Sequence, residues 1–129
     1  KDGRVLGLIR LCKKWNKVKN AKTLPSYLLE TMIINFSDSQ AELSQWIDFR
    51  FKNALSYIAG HILNPVYDMK GIQGDINNLG VGDKLRLQQK ALTDYNKACE
   101  AWQQEHAGNH KEAIKKWGEI FGSDFPTYG

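Results

Sequence analysis

The stretch LSQWIDFRFKNALSYIAGHI, residues 43–62, decides the fold class of this chain. Apolar side chains recur in it every three or four residues, which is the period of an α-helix and not the alternation of a β-strand. These side chains are Leu43, Trp46, Ile47, Phe51, Ala54, Leu55, Ile58 and Ile62. We therefore predict a long amphipathic helix that follows the stop-and-cap sequence Ser37-Asp38-Ser39 and packs one face into a core.

Four further segments show the same helical period. They are residues 5–15, 27–36, 87–102 and 113–121. In the third of these segments the predicted apolar stripe consists of Leu87, Leu92, Tyr95, Ala98, Cys99 and Trp102. The segment 27–36 is apolar on most sides, which predicts a largely buried helix. No segment alternates convincingly between apolar and polar residues, so strands are not expected. We predict an all-α fold, a single bundle of about five helices within one domain.

Polar and glycine-containing stretches separate the predicted helices. Residues 16–23 form a polar connection, and Pro25 stands where a helix start tolerates a missing N–H. Residues 64–83 carry four glycines and a proline, which predicts one long loop. Asp83 is predicted to cap the next helix, and Ala107-Gly108-Asn109 predicts the turn before the last one.

Composition excludes several classes of protein. The 129 residues are 42% hydrophobic and 25% charged, which is the profile of a soluble globular domain. No apolar run approaches the roughly 20 residues that cross a bilayer, and the first residues lack a signal-peptide pattern. Cys12 and Cys99 lie on apolar helix faces, which predicts free buried thiols in a reducing compartment, the cytoplasm. One disulfide between them remains the alternative.

Basic residues concentrate at the N-terminal end of the chain. The net charge is +4, and the segment from Arg4 to Lys22 holds two arginines and five lysines without a single acid. On a helical wheel, Arg10, Lys14 and Lys17 lie opposite the apolar face, so they form either a solvated face or an anion-binding surface.

Lys13 occupies a different position on the same helix. It falls between Leu6 and Ile9, at the edge of the apolar stripe. One interpretation is an edge lysine that lays its methylenes over apolar neighbours. The other is a point charge directed into a cleft, where a phosphate group is its natural partner.

Ser26 and Tyr27 open the second predicted helix. The first turn of a helix presents free N–H groups and a partial positive charge, and a serine hydroxyl there adds one more donor. The alternative role for Ser26 is local helix capping. Tyr27 is either a core aromatic or a ring that stacks on a nucleobase while its hydroxyl stays hydrated.

Other kinds of site are not supported. The glycines of the long loop lack the Gly-Lys-Ser/Thr sequence of a phosphate loop, and no nucleophile signature is present. His106 and His110 are four residues apart beside Glu105, but Gly108 and Asn109 separate them, so we predict no metal site there.

Three motifs carry a resemblance to a known family. "RLCKKWN" (10–16) followed by "LPSYLLE" (24–30) resembles the opening of the helical C-terminal domain in bacterial cGAS/DncV-like nucleotidyltransferases (CD-NTases). These template-independent enzymes are related to oligoadenylate synthetases and cyclic GMP-AMP synthase. "AIKKWGEIFGSDFP" (113–126) is similar to the closing helix of that domain. The resemblance covers about residues 4–36 and 91–126.

The resemblance implies roles for three residues. Lys13 corresponds to the lysine that contacts the nucleotide triphosphate, Ser26 to the serine that hydrogen-bonds the same phosphates, and Tyr27 to the position near the nucleobase. Lys14 replaces the residue often found before the tryptophan, and the wheel favours Lys13 over Lys14 as the phosphate contact. The family makes cyclic or linear oligonucleotide second messengers from nucleoside triphosphates, in bacterial antiphage defence.

The chain departs from the family in one large respect. Such enzymes need a Gly-Ser motif, an Asp-x-Asp or Glu-x-Asp pair and a third carboxylate to hold two magnesium ions. The one Gly-Ser is Gly122-Ser123, and neither acidic pair occurs. We therefore expect residues 1–129 to be the C-terminal lobe of a longer enzyme. Without the N-terminal lobe that carries the catalytic residues and Mg²⁺, the isolated chain should be inactive.

A second hypothesis comes from a different class of function. The chain is then a non-catalytic helical module that binds nucleic acid or a protein partner through its basic N-terminal face. No membrane partner is expected in either case.

Overall fold

The computed structural model describes residues 2–17, 23–40, 43–44, 46–67 and 74–122. Five helices follow one another: α1 (Asp2–Asn16), α2 (Ser26–Asp38), α3 (Ile47–His61), α4 (Val81–His106) and α5 (His110–Phe121). Within those ranges no strand forms, and β-pairing is limited to an isolated bridge between Tyr67 and Asp75. The predicted all-α bundle is confirmed.

All five helices contribute to one apolar core, and Trp15 lies fully buried within it. The edge of its ring faces Phe51 of α3, with 6.5 Å between the ring centroids. Phe51 in turn packs against Phe121 of α5 at 4.9 Å. On the other side, the Trp15 indole N–H donates a buried hydrogen bond of 2.7 Å to Asp94 of α4. One side chain therefore ties α1 to the long helix α4 and packs against the α3–α5 layer.

The helix α2 is less buried than its composition predicts. Its core face consists of Leu28, Leu29, Met32, Ile33, Phe36 and Ser37. Tyr27 and Ile34, on the opposite face, are exposed. The helix packs only one side on the bundle, so the expectation of burial on most sides is wrong.

The start of α3 also differs from the prediction, because the helix begins at Ile47 and not soon after Ser39. Leu43 is buried ahead of the helix, while Trp46 is 64% exposed. The reason lies in two arginines that bind backbone carbonyls of this segment. Arg4 Nη1 donates to the Leu43 carbonyl at 2.7 Å, and Arg50 Nη1 donates to the Ser44 carbonyl at 2.6 Å. In a helix these carbonyls would instead accept N–H groups four residues later.

The described ends of the 64–83 loop are held at the end of α3. The Asn77 amide donates to the Ile62 carbonyl at 2.7 Å and to the Asn64 carbonyl at 2.9 Å. The Asp75 carboxylate accepts the N–H groups of Val66 and Asn77, which hold the pKa of that carboxyl below its usual value. The Asn77 amide thus satisfies carbonyls at the end of α3, and the Asp75 carboxylate satisfies N–H groups of the loop. Residues 68–73, with one of the four predicted loop glycines, lie outside the described part.

Two sequence predictions for α4 are wrong. The helix starts at Val81 after Gly80, so Asp83 lies in the first turn instead of at the cap. Its charge still favours the positive helix end, and it pairs with Arg86 at 3.2 Å. Leu92, expected on the apolar stripe, is 41% exposed, whereas the polar Asp94 is buried. The buried face of α4 is therefore rotated away from Leu92 towards Asp94.

Both cysteines are free. Cys12 is fully buried, and burial raises the pKa of its thiol. Cys99 is partly exposed, so the predicted burial is correct for Cys12 and wrong for Cys99. The structure therefore contains free thiols and not the alternative disulfide. Among the helices of the described residues, none combines the length and the apolar character needed to cross a bilayer.

We expect Trp15→Phe to lower the free energy of unfolding by about 2–4 kcal/mol, because it leaves the buried Asp94 carboxylate without its donor. Trp46→Phe is the matched control and should change stability by less than about 0.5 kcal/mol, because Trp46 is mostly exposed. Urea unfolding followed by circular dichroism measures both. Similar values for the two variants would contradict the assigned role of the Trp15–Asp94 bond.

Candidate functional site

The connection between α1 and α2 is closed by one side chain, Asn16. Its amide N–H donates to the Leu24 carbonyl at 2.8 Å, and its amide oxygen accepts the Leu24 N–H at 2.9 Å. Asn16 and Leu24 are both buried. This reciprocal pair joins the last residue of the "RLCKKWN" motif to the first residue of "LPSYLLE". It brings the end of α1 beside the start of α2.

The sequence pattern predicts no role for Asn16. The available signal is its position: an asparagine ends a basic helix and stands eight residues before a Leu-Pro pair that begins another. Asparagine side chains commonly bind nearby backbone groups at such boundaries. The two bonds seen here need the chain to fold back between the helices, and spacing alone does not reveal that.

Lys13 lies at the edge of the apolar face of α1, as the wheel predicts. Its neighbour Cys12 is fully buried, while the Lys13 side chain itself is 41% exposed. The ammonium is directed across to α2, where it forms an ion pair with the Glu30 carboxylate. Lys13 therefore faces the α1–α2 boundary, whereas Arg10 and Lys17 project from the exposed face of α1.

The ion pair places the Lys13 ammonium at Glu30, one turn from the start of α2. Glu30 lies four residues after Ser26 and on the same side of the helix, about 6 Å further along its axis. The first turn begins after Pro25, and no side chain caps it. Leu29 is the first residue whose N–H bonds back to Pro25, at 3.0 Å. The N–H groups ahead of Leu29 therefore have no helical acceptor.

Ser26 is the first residue of α2, and its side chain is exposed. Within the described ranges its hydroxyl makes no hydrogen bond, and α2 has no side-chain cap. Local capping, the alternative proposed from sequence, is therefore not the role of Ser26 in this structure. The hydroxyl is available to a ligand at the positive end of the helix.

Tyr27 is 51% exposed, so the alternative of a core aromatic is wrong. Its backbone carbonyl accepts the Thr31 hydroxyl at 2.8 Å within α2. The ring lies on the outer side of the helix, one residue after Ser26. An aromatic face in this position is accessible for stacking.

The basic surface predicted from sequence is exposed where the structure describes it. Arg10, Lys14 and Lys17 all lie outside the core, away from the buried side chains of α1. Lys19 and Lys22, which extend the basic segment in the sequence, lie outside the described residues. Anion binding by this surface stays a prediction.

The histidines near the α4–α5 turn are engaged locally. His110 Nδ1 lies 2.8 Å from the Glu105 carboxylate, and the His106 ring packs edge-on against Trp102. In the described part of the chain, no group of three or more His, Cys, Asp or Glu side chains could hold a metal ion. These residues therefore do not fit the two-magnesium centre that the family resemblance implies for a complete enzyme.

A small cavity of about 150 Å³ lies on another side of α2. It is lined by Met32, Asn35, Tyr57, His61, Pro65, Val66 and Tyr67. Its volume is below the roughly 300 Å³ at which small-molecule sites usually begin. The residues of the candidate site line an open surface instead, at the α1–α2 boundary.

A known protein is similar to this chain over almost all of its 129 residues. The chain is 36% identical over 129 residues to a protein of Bacillus cereus (strain VD146) named "probable cyclic nucleotide synthase". The match takes in 98% of this chain but only 38% of that relative's length. No family model matches the chain. The similarity supports a relationship to cyclic nucleotide synthase-like proteins, and the narrower placement in the CD-NTase C-terminal domain stays a prediction.

We expect Asn16→Ala to lower the free energy of unfolding by about 1–3 kcal/mol, because it leaves the Leu24 N–H and carbonyl buried without partners. Amide hydrogen exchange at Leu24 should accelerate at the same time. The control is Asn96→Ala on the exposed face of α4, which should change stability little. Unchanged exchange protection at Leu24 would show that Asn16 does not hold the connection.

Proposed function

We propose that this chain is the nucleotide-binding helical lobe of a template-independent nucleotidyltransferase. The enzyme would make cyclic or linear oligonucleotide second messengers from nucleoside triphosphates, in the bacterial cytoplasm and in antiphage defence. The main support is the ion pair of Lys13 with Glu30, one turn after an uncapped helix start where Ser26 and Tyr27 are exposed. The similarity to a protein named "probable cyclic nucleotide synthase" supports it.

The phosphate end of the site combines three kinds of donor. Lys13 supplies a compact positive charge, Ser26 a hydroxyl, and the start of α2 its free N–H groups with the positive end of the helix dipole. A triphosphate carries enough oxygens to bind all three together. Each charge-assisted hydrogen bond contributes about 1.5–3 kcal/mol. This arrangement favours polyphosphate over a neutral ligand.

The base end of the site is the exposed ring of Tyr27. Stacking on an aromatic ring contributes about 1–3 kcal/mol per base and accepts any nucleobase, because every base has a π-face. Tyr27 therefore favours nucleotide binding without choosing among bases. In this proposal the choice of nucleotide and of linkage comes from residues of the other lobe.

In this proposal the two lobes have different roles, because the catalytic carboxylates belong to the other lobe. The described residues bring no three potential metal ligands together, so no step through magnesium is assigned to this chain. We propose that an N-terminal lobe outside residues 1–129 supplies the catalytic carboxylates and Mg²⁺. The helical lobe would bind and orient the triphosphate, which reduces the entropic cost of the reaction. The chain alone would then be inactive.

The alternative function is a non-catalytic module that binds nucleic acid or a protein partner. The exposed Arg10, Lys14 and Lys17 on one side of α1 favour it. The coding sequence upstream of this chain distinguishes the two functions. A Gly-Ser motif followed by Asp-x-Asp within roughly 200 residues, the upper range of a domain, supports the nucleotidyltransferase. If the full-length gene lacks that motif, the enzyme proposal fails.

In the enzyme that contains both lobes, we expect Lys13→Ala to lower kcat/KM for nucleoside triphosphate by about 10–100-fold, the value of one charge-assisted phosphate contact. Lys17→Ala, which removes an exposed lysine from the same helix, should lower it by less than about 3-fold. Pyrophosphate release measures both. Equal losses in the two variants would contradict the assignment of Lys13 to the nucleotide.

A further inference from the structure

We propose that Glu30 is a positioning residue that holds the Lys13 ammonium one turn into α2, ready to receive a phosphate group bound at the start of that helix. This inference rests on the proposed function. The ion pair between the Lys13 ammonium and the Glu30 carboxylate, which crosses from α1 to α2, supports it. Glu30 is an acidic residue in a site that we otherwise propose to bind anions.

The counter-ion of Lys13 lies on another helix, α2. The chain contains no acid between Arg4 and Lys22, and Arg10 and Lys17 stand three and four residues from Lys13 on the same helix. Like charges at these spacings repel, so they do not localise the Lys13 ammonium. Its four-carbon side chain is flexible and would otherwise sample many rotamers. Glu30 is the one acid in the first three turns of α2, and it lies opposite Lys13.

The stability of the fold does not explain this ion pair. The two side chains are 41% and 40% exposed, and ion pairs with such access to water stabilise proteins little. A carboxylate next to a phosphate site also repels the ligand. An acid in this place is therefore a cost to anion binding unless it improves the geometry of Lys13.

The geometry allows Lys13 to bind both groups at once. An ammonium has three N–H donors, so a bond to Glu30 leaves two for phosphate oxygens. Glu30 lies one turn further into α2 than Ser26, so the ammonium that it holds would stand between the carboxylate and phosphates bound at the helix start. Pre-positioning of a flexible side chain lowers the entropy lost on binding. Glu30 would therefore improve nucleotide affinity through Lys13 and not by contact with the nucleotide.

The test is a double-mutant cycle in the full-length enzyme. The variants are Glu30→Ala, Lys13→Ala and the combination, and the readouts are KM, kcat and equilibrium binding for each of the four ribonucleoside triphosphates with magnesium. We expect Glu30→Ala to raise KM about 3–10-fold with kcat little changed when Lys13 is present. In the Lys13→Ala background it should not raise KM further, and loss of the negative charge should lower KM slightly.

Two controls separate positioning from a general structural effect. Glu30→Gln keeps an oxygen that accepts from the ammonium, so it should restore most of the affinity lost in Glu30→Ala. Glu119→Ala removes a comparably exposed acid that pairs with Lys116 at 3.7 Å on α5, and it should leave KM unchanged. The melting temperature of each variant should stay within about 2 °C of the parent, because these pairs are exposed.

The outcomes separate this inference from the proposed function. A lower KM for Glu30→Ala with Lys13 present would mean that Glu30 competes with phosphate, which overturns the positioning role. Equal increases of KM in both backgrounds would also overturn it, since the effect would not pass through Lys13. If Lys13→Ala itself changes neither KM nor binding for any nucleotide, the proposed function fails and this inference fails with it.

Discussion

The buried hydrogen bond from the Trp15 indole to the Asp94 carboxylate is the contact on which the rest of the structure depends. A carboxylate and an indole N–H both lose water here, and each is tolerated in the core because the other is present. The bond joins α1 to the long helix α4, and Lys90 adds a cation 4.7 Å from the Trp15 ring centre. The Trp15–Asp94 hydrogen bond thereby fixes which side of α1 faces the core.

The rotation of α1 in turn places the site residues. Successive side chains of a helix differ by about 100°, so an inward Trp15 puts Lys13 at the edge of the core and Asn16 towards the connection with α2. Asn16 then binds both backbone groups of Leu24, and Lys13 reaches Glu30. The candidate site is therefore supported by two regular helices, by the Asn16–Leu24 hydrogen bonds that connect them and by the packed core. Such a scaffold can hold the proposed phosphate-binding geometry without a ligand.

The local sequence predicted much of this and failed where distant groups intervened. Helical periodicity correctly placed the five helices and the edge position of Lys13. It put the start of α3 too early, because it had no means of showing that Arg4 and Arg50 bind the carbonyls of the preceding segment. It also placed Leu92 on the apolar stripe of α4, whereas the structure exposes Leu92 and buries Asp94. Apolar side chains are usually buried and carboxylates are usually exposed. The Asp94 carboxylate is buried here because the buried Trp15 indole N–H donates a hydrogen bond to it.

The all-α class, the free thiols, the basic N-terminal end and the choice of Lys13, Ser26 and Tyr27 as candidate site residues came from the sequence alone. These properties follow from local period, composition and charge, which need no contact between distant residues. Only the tertiary structure decided that Ser26 is not a cap, that Tyr27 is exposed, and that Glu30 is the partner of Lys13. Each of these depends on how α1 and α2 fold back on one another. That arrangement is set by the buried polar bonds of Trp15 and Asn16, whose partners are remote in sequence or lie across a turn.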